Sequence, residues 1–203
     1  MTRKAKGSTA KAIVATVLLG SSLAAPAAGG TSVSEPVTVD LQVSRSDRGL
    51  KLSYTVHNHS AEKVYLLDQM VALRGGAYVA QPDGIVVQAG GAGTVDFVRG
   101  YVDPGHPVQV QYPPAARGLE PGKSLTGSAE VAWPLHAQHP YGRLPPLPAG
   151  AKSATLRIGY VSGQVQWQSY PLATGGSLTA PQLPSAVSLQ RFARSAAAPL
   201  PAK

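Results

Sequence analysis

Two pairs of histidines are the residues of this chain whose spacing could do chemistry. In LKLSYTVHNHSAEKVYLLD, His57 and His59 flank Asn58. On a continuing strand both imidazoles point the same way, within reach of one ion. A metal site needs a third and usually a fourth ligand; Asp47 in the preceding turn and Glu62 are nearby, but neither is placed by any motif. The same residues also suit a corner. Asn58 and Ser60 carry short polar side chains that bond backbone amides where a strand ends, and the histidines then face solvent. The corner is the expectation taken forward. Asn58-His59-Ser60 also fits an N-x-Ser sequon, read here as a coincidence of turn composition.

The second pair, His136 and His139, lies in LHAQHPYGR. Pro134 and Pro140 bracket it and leave room for a single turn. With Tyr141 and Arg143 the loop offers imidazole, aromatic and guanidinium groups together, a set suited to a polar ligand or a carboxylate. His136, His139, Tyr141 and Arg143 are therefore the candidate binding residues. The competing reading is a long loop that packs its prolines on the body of the domain. An alternative of another class is a metal-dependent enzyme using some of His57, His59, His106, His136 and His139.

Other chemistries have little support. The chain has no cysteine, which removes disulfides, thiolate zinc sites, cysteine nucleophiles and an acylated cysteine. There is no G-x-S-x-G elbow. The ten acids are dispersed, and no pair stands out as a glycosidase acid and base. GGAGTVDFVRG is glycine-rich, but a strand-like run follows it and no helix start is available to receive a phosphate. No catalytic residue and no cofactor is expected. The formal charge is +8, and half of it comes from Arg3, Lys4, Lys6 and Lys11. The remaining basic residues form no run and do not interleave with aromatics, so a nucleic-acid partner is not expected.

The elements that must position these residues are strands. MTRKAKGSTAK is basic, AIVATVLLGSSLAA is apolar and APAAGG is small, which reads as a signal peptide over residues 1 to 27. The apolar run is short of the roughly 20 residues that span a bilayer, and no later one is longer. The protein is thus expected to be exported, periplasmic or extracellular. VTVDLQVSR and LKLSYTVH alternate with a period of two around the turn RSDRG, which predicts a hairpin of half-buried strands. KVYLLDQMVAL alternates less cleanly, as for a strand buried on both faces or bulged. Pro82-Asp83-Gly84 predicts a hairpin turn from Gln81 to Ile85, with Gly84 at positive φ. In GKSLTGSAEVAW, small residues at 127 and 129 leave room for a bulky neighbour from a facing sheet, and Trp133 is expected to close that end of the core. SATLRIGYV and GQVQWQSY predict a hairpin around Ser162-Gly163. The best helical stretch is Ser185 to Arg194. From about residue 172 the composition is of low complexity, and a mobile tail is expected over 172–203.

About eight to ten short strands separated by Gly/Pro turns point to an all-β antiparallel sandwich. LKLSYTVHNHSAEKVYLL and LEPGKSLTGSAEVAWP resemble the pattern of bacterial secreted or periplasmic Ig-like domains, with an alternating strand, an Asn-x-Ser corner and a later Pro-Gly turn. The BsuPI-type proteinase inhibitors share this outline. The resemblance implies an Ig-like β-sandwich over residues 33–171. The expected function is an exported, non-catalytic binding or structural module of the bacterial envelope. Its partner is expected to be another envelope or secreted protein, met through end loops or an edge strand. A proteinase inhibitor or assembly chaperone is the alternative. The Gln81–Ile85 turn and the 134–150 loop are the first candidates for the contact surface.

Overall fold

A computed structural model describes residues 35–107, 112–142 and 144–201. The expected signal peptide and Arg143 lie outside the described residues. Strands dominate. In chain order they begin with β1 (Val37–Ser46), β2 (Gly49–Asn58), β3 (Val64–Arg74), β4 (Ala77–Gln81), β5 (Val86–Ala89) and β6 (Val95–Arg99). Then come β7 (Ala115–Leu119), β8 (Ser124–Val131), β9 (Ser153–Ser162), β10 (Trp167–Pro171) and β11 (Ser177–Pro181). The chain ends with α1 (Leu183–Leu189), β12 (Arg191–Arg194) and β13 (Ala198–Pro199). The protein is all-β, with several sheets and one α-helix among the described residues.

The period-two pattern does what the pleat requires. β1 and β2 form an antiparallel hairpin in register from Val37 opposite Asn58 to Ser46 opposite Gly49. β8 adds to the other edge of β2, with Tyr54 opposite Gly127 and Leu52 opposite Ala129. Leu50, Leu52, Tyr54 and Val56 are buried, while Lys51, Ser53, Thr55 and His57 are not.

The larger sheet is organised around β9. Ile158 is opposite Arg99 of β6 and Ala193 of β12, and Tyr160 is opposite Leu66 of β3 and Arg191 of β12. β3 and β6 therefore share one edge of β9, and β12 and β13 take the other. β6 runs parallel to β9, and β3 and β12 run antiparallel. At the Leu66–Gln69 irregularity β3 turns away and continues against β4 and β7. This irregularity explains the poor alternation of KVYLLDQMVAL. One hydrophobic cluster joins both sheets: Val39, Leu52, Tyr54 and Val56 on one side, and Leu66, Phe97, Leu156 and Ile158 on the other. Continuous burial of this kind supplies most of the stabilisation, at about 25 cal/mol per Å² of apolar surface removed from water.

Several expectations differ from the structure. Gly127 does receive a bulky neighbour, but from the adjacent strand: a Cβ there would overlap the ring of Tyr54. Trp133 is only half-buried and lies outside the core cluster, with the Arg45 guanidinium 4.4 Å over its ring. Phe97 is the largest fully buried side chain. Gln81–Ile85 is a turn, with Gly84 N–H donating to Gln81 O over 2.9 Å, but not a hairpin: β4 pairs with β3, and β5 with β6. Gly84 is required by the close approach of Met70, not by positive φ. β10 pairs with β11 and not with β9. The helix is α1, and Arg191–Arg194 is strand.

The segment after residue 172 likewise differs from a mobile tail. β12 and β13 pair with β9, and Ala193 and Ala198 are buried against it. Low complexity concealed the pairing because a strand of small residues needs little apolar content when its partner is already ordered. Arg194 is held in place by Asp96 Oδ1 at 2.7 Å.

Candidate functional site

The Asn58 corner is fully formed. Asn58 is buried, and its Nδ2 donates to the carbonyls of Glu62 at 2.8 Å and Leu119 at 3.0 Å. Its Oδ1 accepts from the Ser60 amide at 3.0 Å and the Ser60 hydroxyl at 2.6 Å. Its backbone accepts from Gly122 N–H and donates to Lys123 O. One asparagine thus ties the end of β2 to the turn before β8 and to the end of β7. A buried amide with all its partners made is stabilising, and each partner left unpaired would cost about 1–3 kcal/mol.

The two flanking histidines face outward. His57 Nε2 donates to Asp40 Oδ2 at 3.0 Å, and its Nδ1 is 2.7 Å from Ser124 Oγ. His59 Nε2 is 2.9 Å from Thr38 Oγ1, and the two rings stack 5.9 Å apart. Among the described residues, no three histidine or acidic side chains gather closely enough to hold a metal ion.

The loop after β8 divides its four candidate residues. His136 is exposed. His139 and Tyr141 are half-buried and 6.0 Å apart, ring to ring. His139 Nδ1 accepts from Tyr141 N–H at 3.1 Å, and Nε2 is 3.3 Å from Val102 O. The neutral ring with its proton on Nε2 serves both. Burial pushes the His139 pKa below the ordinary histidine value. Tyr141 Oη accepts from Tyr112 N–H at 2.9 Å, and burial raises the Tyr141 pKa. Tyr112 in turn meets Tyr78 edge-on at 5.3 Å, and Tyr78 contacts Tyr170 at 4.6 Å. Only about 10 Å³ remains enclosed between His139, Tyr141, Tyr101 and Tyr112. His139 and Tyr141 therefore pack the loop onto the domain, and they do not line a pocket there.

The outer side of the loop does make a cleft. Gln138 exchanges backbone hydrogen bonds with Val87, and its Nε2 donates to Ile85 O at 3.0 Å. The loop is thereby fixed beside the Gln81–Ile85 turn. Between them, Gln81, Asp83, Gly84, Gln138, His139 and Pro140 line an open cleft of about 250 Å³. Asp83 Oδ1 accepts from Glu130 N–H at 3.0 Å, which anchors the turn to β8.

Sequence reasoning missed a polar cluster on the other side of this turn. Asp68 is buried in β3. Arg117 forks onto its carboxylate, with Nε to Oδ1 at 2.9 Å, and the hydrogen bond raises the Arg117 pKa further. Tyr54 Oη donates to Asp68 Oδ2 at 2.9 Å, and burial followed by the Asp68 charge raises the Tyr54 pKa. Arg99 Nη1 donates to Tyr54 Oη at 3.0 Å and to Asp68 O at 3.2 Å, and Nη2 bonds Pro82 O. Arg99 ends β6 near the point where β3 turns away from β9, and its guanidinium reaches the Asp68 carbonyl of β3. The signals available in the sequence were an acid and two arginines in mostly apolar strands.

The chain matches no family model, no curated protein and no solved structure.

Proposed function

We propose that the protein is an exported, non-catalytic binding module that recognises another envelope or secreted protein through one end of an Ig-like sandwich. The strand order supports the Ig-like reading. β1-β2-β8 corresponds to an A-B-E sheet, β3-β9-β12 to a C-F-G sheet, and Val39 of β1 meets Ser195, just after β12, in a parallel bridge. The parallel β6–β9 pair is a departure from that plan.

The observation that carries the functional reading is the fixed pairing of the Gln81–Ile85 turn with the loop through Gln138. Recognition loops bind well when a rigid scaffold holds them, because little ordering entropy is then lost on association. His136, Gln138 and Pro140 are exposed along this loop, and Gln138 and Pro140 line the cleft beside the turn. The test is affinity capture from envelope extract and culture fluid with the purified protein and a His136→Ala, Pro140→Ala double variant. The reading expects one abundant partner at near-equal stoichiometry, lost with the variant while the melting temperature is unchanged. A partner retained undiminished by the variant overturns it.

A further inference from the structure

β8 carries β2 on one edge, and no other described strand pairs with it. Glu130 donates its amide away from β2, to Asp83. Antiparallel pairing alternates, so the amides and carbonyls of Ser124, Thr126 and Ser128 also point outward. All three residues are exposed. A row of unpaired backbone groups is a template for another strand.

Beside this edge lies a cleft of about 210 Å³ with Arg99, Arg117 and Asp68 at its base and Gln81 and Ser128 at its mouth. Its charges do not balance. The Asp68 carboxylate is engaged by Arg117 and Tyr54. Arg99 is 4% exposed, yet its guanidinium bonds only neutral acceptors, and its Nε is buried without a partner. A buried cation held by neutral groups is costly, and a carboxylate brought alongside offsets that cost. The cleft is smaller than the roughly 300–1,000 Å³ of typical small-molecule sites. It suits one acidic side chain, with Met70, Ala80 and Pro82 against its methylenes.

We propose that an extended peptide adds to the free edge of β8 and seats an acidic side chain over Arg117 and Arg99. The proposal rests on the reading of the protein as a binding module and names the chemistry of what it binds. Backbone pairing supplies affinity, and the arginine cleft selects the side chain.

The test uses end-capped ten-residue peptides of alternating serine and valine with a central glutamate, titrated into the purified protein by calorimetry. The glutamate peptide is expected to bind at least tenfold more tightly than its glutamine twin. Gln81→Glu puts a negative charge at the mouth. Ser128→Pro removes an outward amide and spares the β2–β8 ladder. Each is expected to weaken binding at least tenfold at an unchanged melting temperature. Equal binding of the glutamate and glutamine peptides, or no binding of either, overturns the proposal. So does equally tight binding of the glutamine peptide once its C-terminus is left uncapped, because a terminal carboxylate would then suffice. The capture experiment with the His136/Pro140 variant reports on the binding-module reading separately, so the two failures are distinguishable.

Discussion

At the scale of single residues, Asn58 and His57 separate architecture from decoration, although they are neighbours in a suggestive motif. Asn58→Ala leaves the Leu119 carbonyl without its side-chain donor and the Glu62 carbonyl with only the Ser60 hydroxyl. It is expected to cost about 2–3 kcal/mol in urea unfolding. His57→Ala removes an exposed pair with Asp40 and is expected to cost less than about 1 kcal/mol. The corner was legible in the sequence because Asn and Ser carry their turn chemistry locally. The Asp68 cluster was not, because its partners come from β2, β6 and β7 and only the folded chain brings them together. His139 gives a pH signature. Its folded pKa lies below the unfolded value, so as pH falls through about 6.5 the unfolded chain takes up a proton that the folded chain resists. Stability therefore declines on acidification. Protonating Nδ1 also ends its acceptance from Tyr141 N–H. Urea midpoints at pH 7.5 and 5.5 are expected to differ less for His139→Gln than for the natural protein.

At the scale of elements, the pairing of β2 with β8 depends on one missing side chain. Tyr54 crosses over Gly127 to reach Asp68 and Arg99. Gly127→Ala forces that ring aside and is expected to cost about 1–3 kcal/mol. In Tyr54→Ala the same glycine substitution should cost almost nothing, and a double-mutant cycle of unfolding free energies measures the difference. The hairpin of β1 and β2 was readable because alternation and turn chemistry agree over consecutive residues. The partners of β4, β5 and β10 were not. Short strands joined by plausible turns look like hairpins, whereas here tertiary pairing sends each to a different neighbour.

At the scale of the whole molecule, the end of the chain completes the fold. β9 is covered on one edge by β3 and β6 and on the other by β12 and β13. A chain ending at Leu189 uncovers that second edge and the small-residue contacts of Ala193 and Ala198. Such a truncation is expected to lose its cooperative thermal transition and to aggregate, as read by calorimetry and light scattering. A transition like that of the full chain would mean that these strands are ornamental.

The 134–150 loop and the Asn58 corner lie at opposite ends of β2. β2 runs from Leu50, opposite Val131 just before the 134–150 loop, to the Asn58 corner. That is roughly 26 Å of strand at about 3.3 Å per residue. The measurement that tests the central claim most directly is site-specific photo-crosslinking in the source's envelope and culture fluid. One photoreactive residue replaces exposed His136 and, in a second protein, exposed Ala61 at the opposite end. Recognition through the loop end predicts a single protein adduct from position 136 and none from position 61. Adducts from position 61 alone, or equally from both, would contradict it.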